Sequence, residues 1–273
     1  MRASGAVTRS TLRQQIADAL RDEVLAGRLQ PGREFTVKQI AEQYGVSATP
    51  VREALFDLSA QGLLESDQHR GFRVYEFTVA DYRAMVEART LVMDGVIRGV
   101  FQEQSPAQQT AYRDALVSVR RRAEEAARAA RGGDLDILIG YDLRFWRELG
   151  ALVGNSYISD FLHRLRVQAW VFAVPYLRGD ADVRDWLWNG HAELVTAITH
   201  RDRDALRVVI DDYNGHALSW ADRLASGTWP VPGPGRSRPG RTEPAARPAR
   251  GPDPRRPEPR PTRAPGKARR SRS

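Results

Sequence analysis

The chain has 273 residues, no cysteine and a formal net charge of +8, a length that suits about two domains. The missing cysteines exclude disulfides, thiolate chemistry and cysteine-held metals. No apolar run approaches the roughly 18 residues that cross a bilayer, and the start, Met1-Arg2-Ala3-Ser4-Gly5-Ala6, lacks the apolar core of a secretion signal, so a cytoplasmic protein is expected.

Leu12, Ile16, Leu20 and Val24 recur every four residues, which predicts a helix stopped by Gly27 and the turn Gln30-Pro31-Gly32. Thr36 with Gln39 three residues later is a capping-box pattern for a short second helix, with Val37, Ile40, Ala41 and Tyr44 inward and Gly45 at its end. Ser47 is placed to cap a third helix, Pro50 sits in its first turn, and Val51, Ala54, Leu55 and Leu58 face inward. Leu63-Leu64-Glu65 and Phe72-Arg73-Val74-Tyr75 read as two strands around a turn with a basic tip. The second and third helices make a helix-turn-helix able to offer its N-terminal residues to a DNA major groove, with the hairpin as a wing. By periodicity alone, a protein-interaction module fits equally well.

After Tyr75, apolar stripes run from Val79 to Phe101, Ala107 to Ala130, Leu135 to Val153, Tyr157 to Val174, Val183 to His200 and Ala205 to Leu224. Six helices without a convincing strand predict an all-α antiparallel bundle. From Pro230 onward the chain holds 12 of its 16 prolines and 13 basic residues against three acids, a charge of +10 that leaves −2 for the rest. Such a segment cannot repay the entropy of ordering, so an extended solvated tail is expected. It serves either as a basic arm on phosphates or as a terminus with no partner. The expected organisation is mainly α: a winged helix-turn-helix over 1–76, a helical bundle over 77–228 and a disordered basic tail over 229–273.

The run Ile40-Ala41-Glu42-Gln43-Tyr44-Gly45-Val46-Ser47-Ala48-Thr49-Pro50-Val51-Arg52-Glu53-Ala54-Leu55, with Leu58, Gly62-Leu63 and Arg70-Gly71-Phe72-Arg73-Val74, resembles the GntR family of bacterial transcription regulators. The upstream Ala26-Gly27-Arg28-Leu29-Gln30-Pro31-Gly32 fits the same pattern. This resemblance implies DNA contacts by Lys38, Ser47, Thr49, Arg52, Gly71 and the adjacent Arg70. One position departs: the family usually has an Arg after the capping Ser, able to read guanine with two hydrogen bonds, and this chain has Ala48. A different operator base at that position, or weaker specific binding, is therefore expected. Glu53 is expected to pair within the domain.

Glu87-Ala88-Arg89, Asp142-Leu143-Arg144-Phe145-Trp146, Gly154-Asn155, His191, Ala197-Ile198 and Asp202 resemble, more loosely, the FCD ligand-binding domain of the FadR subfamily. Relatives of that kind often hold a divalent metal with an Asp, a His four residues later, a His on a third helix and another His 22 residues beyond that. Asp142 and His191 match, but position 146 is Trp and position 213 is Tyr. No cofactor is expected, and Asp142, His191 and His216 are what remains of a ligand set too poor for a tight metal. The same positions read instead as an effector pocket lined by Arg89, Asp142, Trp146, His191 and Tyr213, with Arg89 able to clamp a carboxylate. Alternatively, Arg89 makes a structural ion pair and Trp146 is plain core. Trp186-Leu187-Trp188 is expected in helix packing or a dimer contact.

These readings add up to a regulator, expected to be a repressor, that binds a near-palindromic operator as a homodimer and answers to a small effector, carboxylate by the pocket's chemistry. The alternative is a DNA-binding dimer with a non-sensing pocket and tail-assisted, non-specific DNA binding. An enzyme is not expected, because no nucleophile, base and orienting group stand at workable spacing and no Gly-rich phosphate loop is present.

Overall fold

The four-residue spacing from Leu12 to Val24 does form a helix, α1 (Ser4–Leu25), in the computed structural model, which describes residues 4–67, 70–100, 106–178, 180 and 182–227. All of these fall in one compact unit, Met1–Pro232. The basic tail and His69 of the wing turn lie outside the described residues.

After α1 come β1 (Glu34–Phe35), α2 (Val37–Tyr44), α3 (Ala48–Ala60), β2 (Leu64–Asp67) and β3 (Gly71–Val74). The predicted capping box is complete: Thr36 accepts from Gln39 N–H while the Gln39 side chain accepts from Thr36 N–H. Gly45 then ends α2 in the left-handed conformation. Ser47 does occupy the cap position of α3, but its side chain makes no capping hydrogen bond, so its hydroxyl is not spent inside the fold. The two expected strands pair antiparallel, with Glu65 opposite Arg73. A third strand, β1, was not expected, because two residues carry no period to read. It joins when the Pro31-Gly32 turn brings Glu34 and Phe35 opposite Arg73 and Phe72, giving the order β1-β3-β2.

The C-terminal half contains α4 (Val79–Val100), α5 (Pro106–Gly132), α6 (Leu135–Ala151), α7 (Ser156–Leu177), α8 (His191–Thr199) and α9 (Arg203–Ala225). Asp134, Asn155 and Asp202 cap α6, α7 and α9 by accepting from the backbone N–H three residues on. The single helix expected from Val183 to His200 is two pieces, a 3-10 turn (Val183–Trp186) and α8. Leu187 is extended, and the Trp188 ring lies so close over Gly190 that a Cβ there would meet it at 2.6 Å. The apolar stripe continues across this break, which is why periodicity merged the two.

One apolar core links both halves: Leu20, Leu55, Leu58 and Val74 belong to the same buried cluster as Val167, Val171, Val174 and Trp220. A smaller cluster gathers Ile97, Val119, Phe145, Leu194, Leu206 and Ile210. Helix α7 bridges the halves, donating from Gln168 to the Gln61 carbonyl (2.8 Å) and from Arg178 to the Leu25 carbonyl (3.3 Å). Among the described residues, no helix is long and apolar enough to cross a membrane.

Candidate functional site

Two surfaces carry chemistry, an exposed groove at the helix-turn-helix and a buried polar cluster in the helical half. The groove is lined by Thr36, Lys38, Ala48, Arg52 and Gly71, among others, so it joins α2, the first turn of α3 and the wing. Ser47, Ala48, Thr49 and Arg52 are all exposed. Arg52 makes no ion pair or hydrogen bond with the described residues, and Lys38 has only a loose pair with Glu42 at 3.8 Å. Glu53 is exposed and does not make the intradomain pair expected of it. In the wing, Arg70 lies 3.5 Å from Glu34 and Arg73 pairs with Glu65, so both arginines already have acidic partners. Gly71 has φ +98°, and a Cβ there would stand 2.6 Å from the Phe35 carbonyl oxygen, so the turn requires glycine.

Asp142 on α6 is the centre of the second site and is 4% exposed. Its Oδ1 accepts from Trp146 Nε1 (3.0 Å) and His191 Nε2 (3.1 Å), and its Oδ2 from Trp170 Nε1 (2.7 Å), with Arg166 Nη1 at 3.4 Å. Burial alone would raise the pKa of this carboxyl. The Arg166 charge and the hydrogen bonds from His191 and Trp170 outweigh burial and hold it down to about 2. The group is a carboxylate, which only accepts, so His191 Nε2 carries the proton it shares.

Behind this carboxylate stand two buried guanidiniums. Arg166 Nη1 donates to the Tyr213 hydroxyl at 2.7 Å, and Arg89 Nη1 donates to the same oxygen at 2.6 Å. Arg89 Nε donates to Asn214 Oδ1 at 2.9 Å, whereas Arg89 Nη2, Asn214 Nδ2 and His191 Nδ1 are buried without a partner. Burial pushes the pKa of the Arg89 guanidinium below its ordinary value, with Tyr213 opposing and the Arg166 charge acting in the same direction as burial. The Arg166 carbon lies 3.9 Å from the Trp146 ring centre and that of Arg89 lies 4.0 Å from the Tyr213 ring centre, both cation–π distances. Trp188 closes the cluster against Tyr213 and His191, with ring centres 4.8 and 4.7 Å apart. Trp188 thus packs against α8 and α9, in line with the helix packing expected of it, and also lines the larger cavity.

The structure thus brings Arg89, Asp142, Trp146, His191 and Tyr213 together as the sequence led one to expect. It adds Arg166, Trp170 and Asn214, which sequence reasoning missed. The signal for two of them was present: Leu162, Arg166, Trp170 and Ala173 fall on one face of α7, so an arginine stands on its inward stripe. Arg89 is not in an ion pair, since its partners are a phenol and an amide.

A divalent metal does not fit these residues. Four N–H donors already crowd the single carboxylate, and among the described residues no three His, Asp or Glu side chains form a group that could hold an ion. His216 lines the neighbouring cavity, but its Nε2 lies 3.0 Å from the Trp186 carbonyl. Arg89, Arg166 and Tyr213 form the common wall of two cavities of about 50 and 90 Å3. Aliphatic side chains line most of the smaller one, and aromatic rings with Asp142 and His191 line the larger.

Residues 12–74 match the family of bacterial regulatory proteins called the gntR family, and residues 79–213 match the FCD domain. The chain belongs to the GntR family, whose members are DNA-binding transcription regulators, and carries an FCD effector-binding domain. It is 32% identical over 150 residues to the "Probable D-xylose utilization operon transcriptional repressor" of Paenarthrobacter nicotinovorans, a match covering 55% of this chain and 63% of that protein. It is 24% identical over 213 residues to the transcriptional regulator McbR of Escherichia coli K12, covering 76% and 91%. The solved structure of E. coli McbR/YncC superposes with a TM-score of 0.63 at 20% identity over 78% of this chain and 98% of that one, a likeness of fold. The chain spans less than two thirds of the length of the first two curated relatives, 63% and 65%. The families and the relatives named are regulators and not enzymes, in line with the expectation that catalysis is absent.

Proposed function

We propose that this protein is a transcriptional repressor that binds a near-palindromic operator as a homodimer and is controlled by a small carboxylate effector in its helical half. Residues 1–76 contact DNA, residues 77–228 hold the effector and the dimer interface, and the basic segment 229–273 adds attraction to phosphates. The observation that carries this reading is the groove in which an exposed, uncommitted Arg52 shares a wall with Lys38, Ala48 and the wing glycine Gly71. That arrangement offers α3 to a major groove and the wing to the backbone beside it. Ser47 and Thr49 stand at the leading edge of α3, where base or phosphate contacts fall. Arg70 contributes once a phosphate displaces Glu34. Two half-sites follow because a single winged domain covers too little DNA surface for high specificity.

Repression is favoured by the Paenarthrobacter relative, which is named as a repressor. Effector control is supported by the buried Arg89 with its unpartnered Nη2 beside Tyr213 and Arg166. Asp142, Trp146 and His191 complete the pocket lining. The test is footprinting on the protein's own upstream region with and without a panel of carboxylic acids. A two-fold-symmetric protected site, lost with Arg52→Ala while thermal unfolding is unchanged, is the expected result. Unaltered protection by Arg52→Ala would mean that α3 is not the reading helix. At the base opposite Ala48, preference should be weaker by about 1–3 kcal/mol than an arginine fork provides.

A further inference from the structure

We propose that the site in the helical half recognises a monoanionic carboxylic acid with a short apolar body and does so without a metal, with the Arg166 and Arg89 guanidiniums supplying the positive charge. This rests on the reading of the FCD domain as an effector site and names the class of effector.

The first argument is charge. Among the described residues of the cluster, Arg89 and Arg166 carry two positive charges and Asp142 one negative. Both guanidiniums are 6% exposed, and they share one neutral oxygen as their meeting point, the Tyr213 hydroxyl. Two buried like charges on a single phenol oxygen are costly unless an anion joins them. One carboxylate balances the cluster; a di- or tricarboxylate would leave an uncompensated buried negative charge.

The second argument is hydrogen-bond capacity. Arg89 Nη2 is buried and unpartnered, and Arg89, Arg166 and Tyr213 line the smaller cavity together. The Tyr213 oxygen accepts from both arginines and keeps its own proton to donate. An incoming carboxylate therefore meets donors on Arg89 and Tyr213 at the cavity wall, while Arg166 stays anchored on Asp142 and stacked on Trp146. In this arrangement a guanidinium stands beside the acid that would otherwise ligate an ion.

The third argument is the cavity itself. Beyond the arginines its wall is mostly apolar, including Val96, Ile97, Leu149, Leu194, Leu206 and Ile210, with Ser159, His163 and Tyr213 as its few polar members. Such a wall accepts a hydrocarbon tail and leaves most hydroxyls of a sugar without partners, each at a real cost in affinity. A volume of about 50 Å3 restricts the tail to a short one.

The experiment uses the full chain, dialysed against EDTA and titrated calorimetrically with butyrate, isovalerate, hexanoate, benzoate, hexanamide, xylonate and citrate. The expected result is binding of at least one of the first four, unchanged by EDTA or by added zinc, with no binding of hexanamide, xylonate or citrate. Arg89→Gln should weaken that binding by about tenfold or more, as loss of a charge-assisted hydrogen bond implies. Arg166→Lys, which keeps Asp142 paired, guards against loss of fold and should weaken it while thermal unfolding stays cooperative. Binding of citrate or xylonate in place of the monocarboxylates, binding that requires zinc, equal binding of hexanamide, or no binding by any of the acids would each overturn the proposal. Footprinting with the same compounds separates the two readings. A monocarboxylate that binds but leaves operator protection unchanged sinks effector control and keeps this site. Release of the operator by a sugar or a metal complex alone does the reverse.

Discussion

His163 on α7 faces two spaces, the smaller cavity beside Arg89 and Arg166 and a cleft lined by Arg21, Gln61 and Asp160 between the DNA-binding and helical halves. Its Nδ1 is buried without a partner. Burial first, then the charges of Arg147, Arg21 and Arg166, lower its pKa from 6.5 to about 4. An unfolded chain takes a proton on this ring near pH 6.5, whereas the folded protein does not until about pH 4. Between those values the unfolded state binds more protons, so stability falls as pH drops through that window and loses nothing further from this group below it. Thermal melts of His163→Gln from pH 7 to 4 should therefore fall less steeply than those of the unaltered protein; equal slopes would place the acid sensitivity elsewhere. Asp142 works in the opposite part of the scale: its carboxylate stays ionised down to about pH 2, so it does not contribute to that window.

Among elements, the wing and α7 have separate duties. The wing depends on one residue without a side chain, because Gly71 combines φ +98° with close approach to the Phe35 carbonyl. Gly71→Ala should destabilise the DNA-binding half by about 1–3 kcal/mol in urea unfolding and weaken operator binding with it. A variant of native stability would mean that the turn relaxes without cost. Helix α7 carries Arg166 in the buried polar site and, two residues on, Gln168, which donates to the Gln61 carbonyl at the end of α3. We propose that a change at Arg166 reaches α3 along that path. Gln168→Ala should leave carboxylate affinity unaltered and shrink the effect of carboxylate on operator affinity by about two- to tenfold. An undiminished response would show that coupling runs through other contacts of α7, such as Arg178 with Leu25.

For the molecule as a whole, charge is divided unevenly: the segment from Pro230 holds +10, and the remainder, which includes both sites, is −2. Ending the chain at Trp229 should keep specific operator binding and reduce the slope of log affinity against log salt, because fewer counterions are released. Loss of all DNA binding on truncation would assign recognition to the basic segment and count against α3.

Much of this organisation is legible in sequence because it is local. The Thr36/Gln39 box, the Gly45 stop and the inward stripes of the helices each depend on residues within a turn or two. Motif likeness likewise led to Arg89, Asp142, Trp146, His191 and Tyr213 as one cluster, across more than a hundred residues of chain. Strand β1 could not be read, since its two residues acquire strand geometry only by pairing with β3. The break at Trp188 was hidden for a related reason: local apolar spacing favours a continuous helix, and only packing of the indole against Tyr213 and His191 holds Leu187 to Gly190 out of it. Arg166 shows the same limit at the site. Its place on the inward stripe of α7 is sequence information. That its charge meets Asp142 from α6 and shares Tyr213 of α9 with Arg89 of α4 is set by four helices packing at once, and long-range electrostatics of that kind have no local signature.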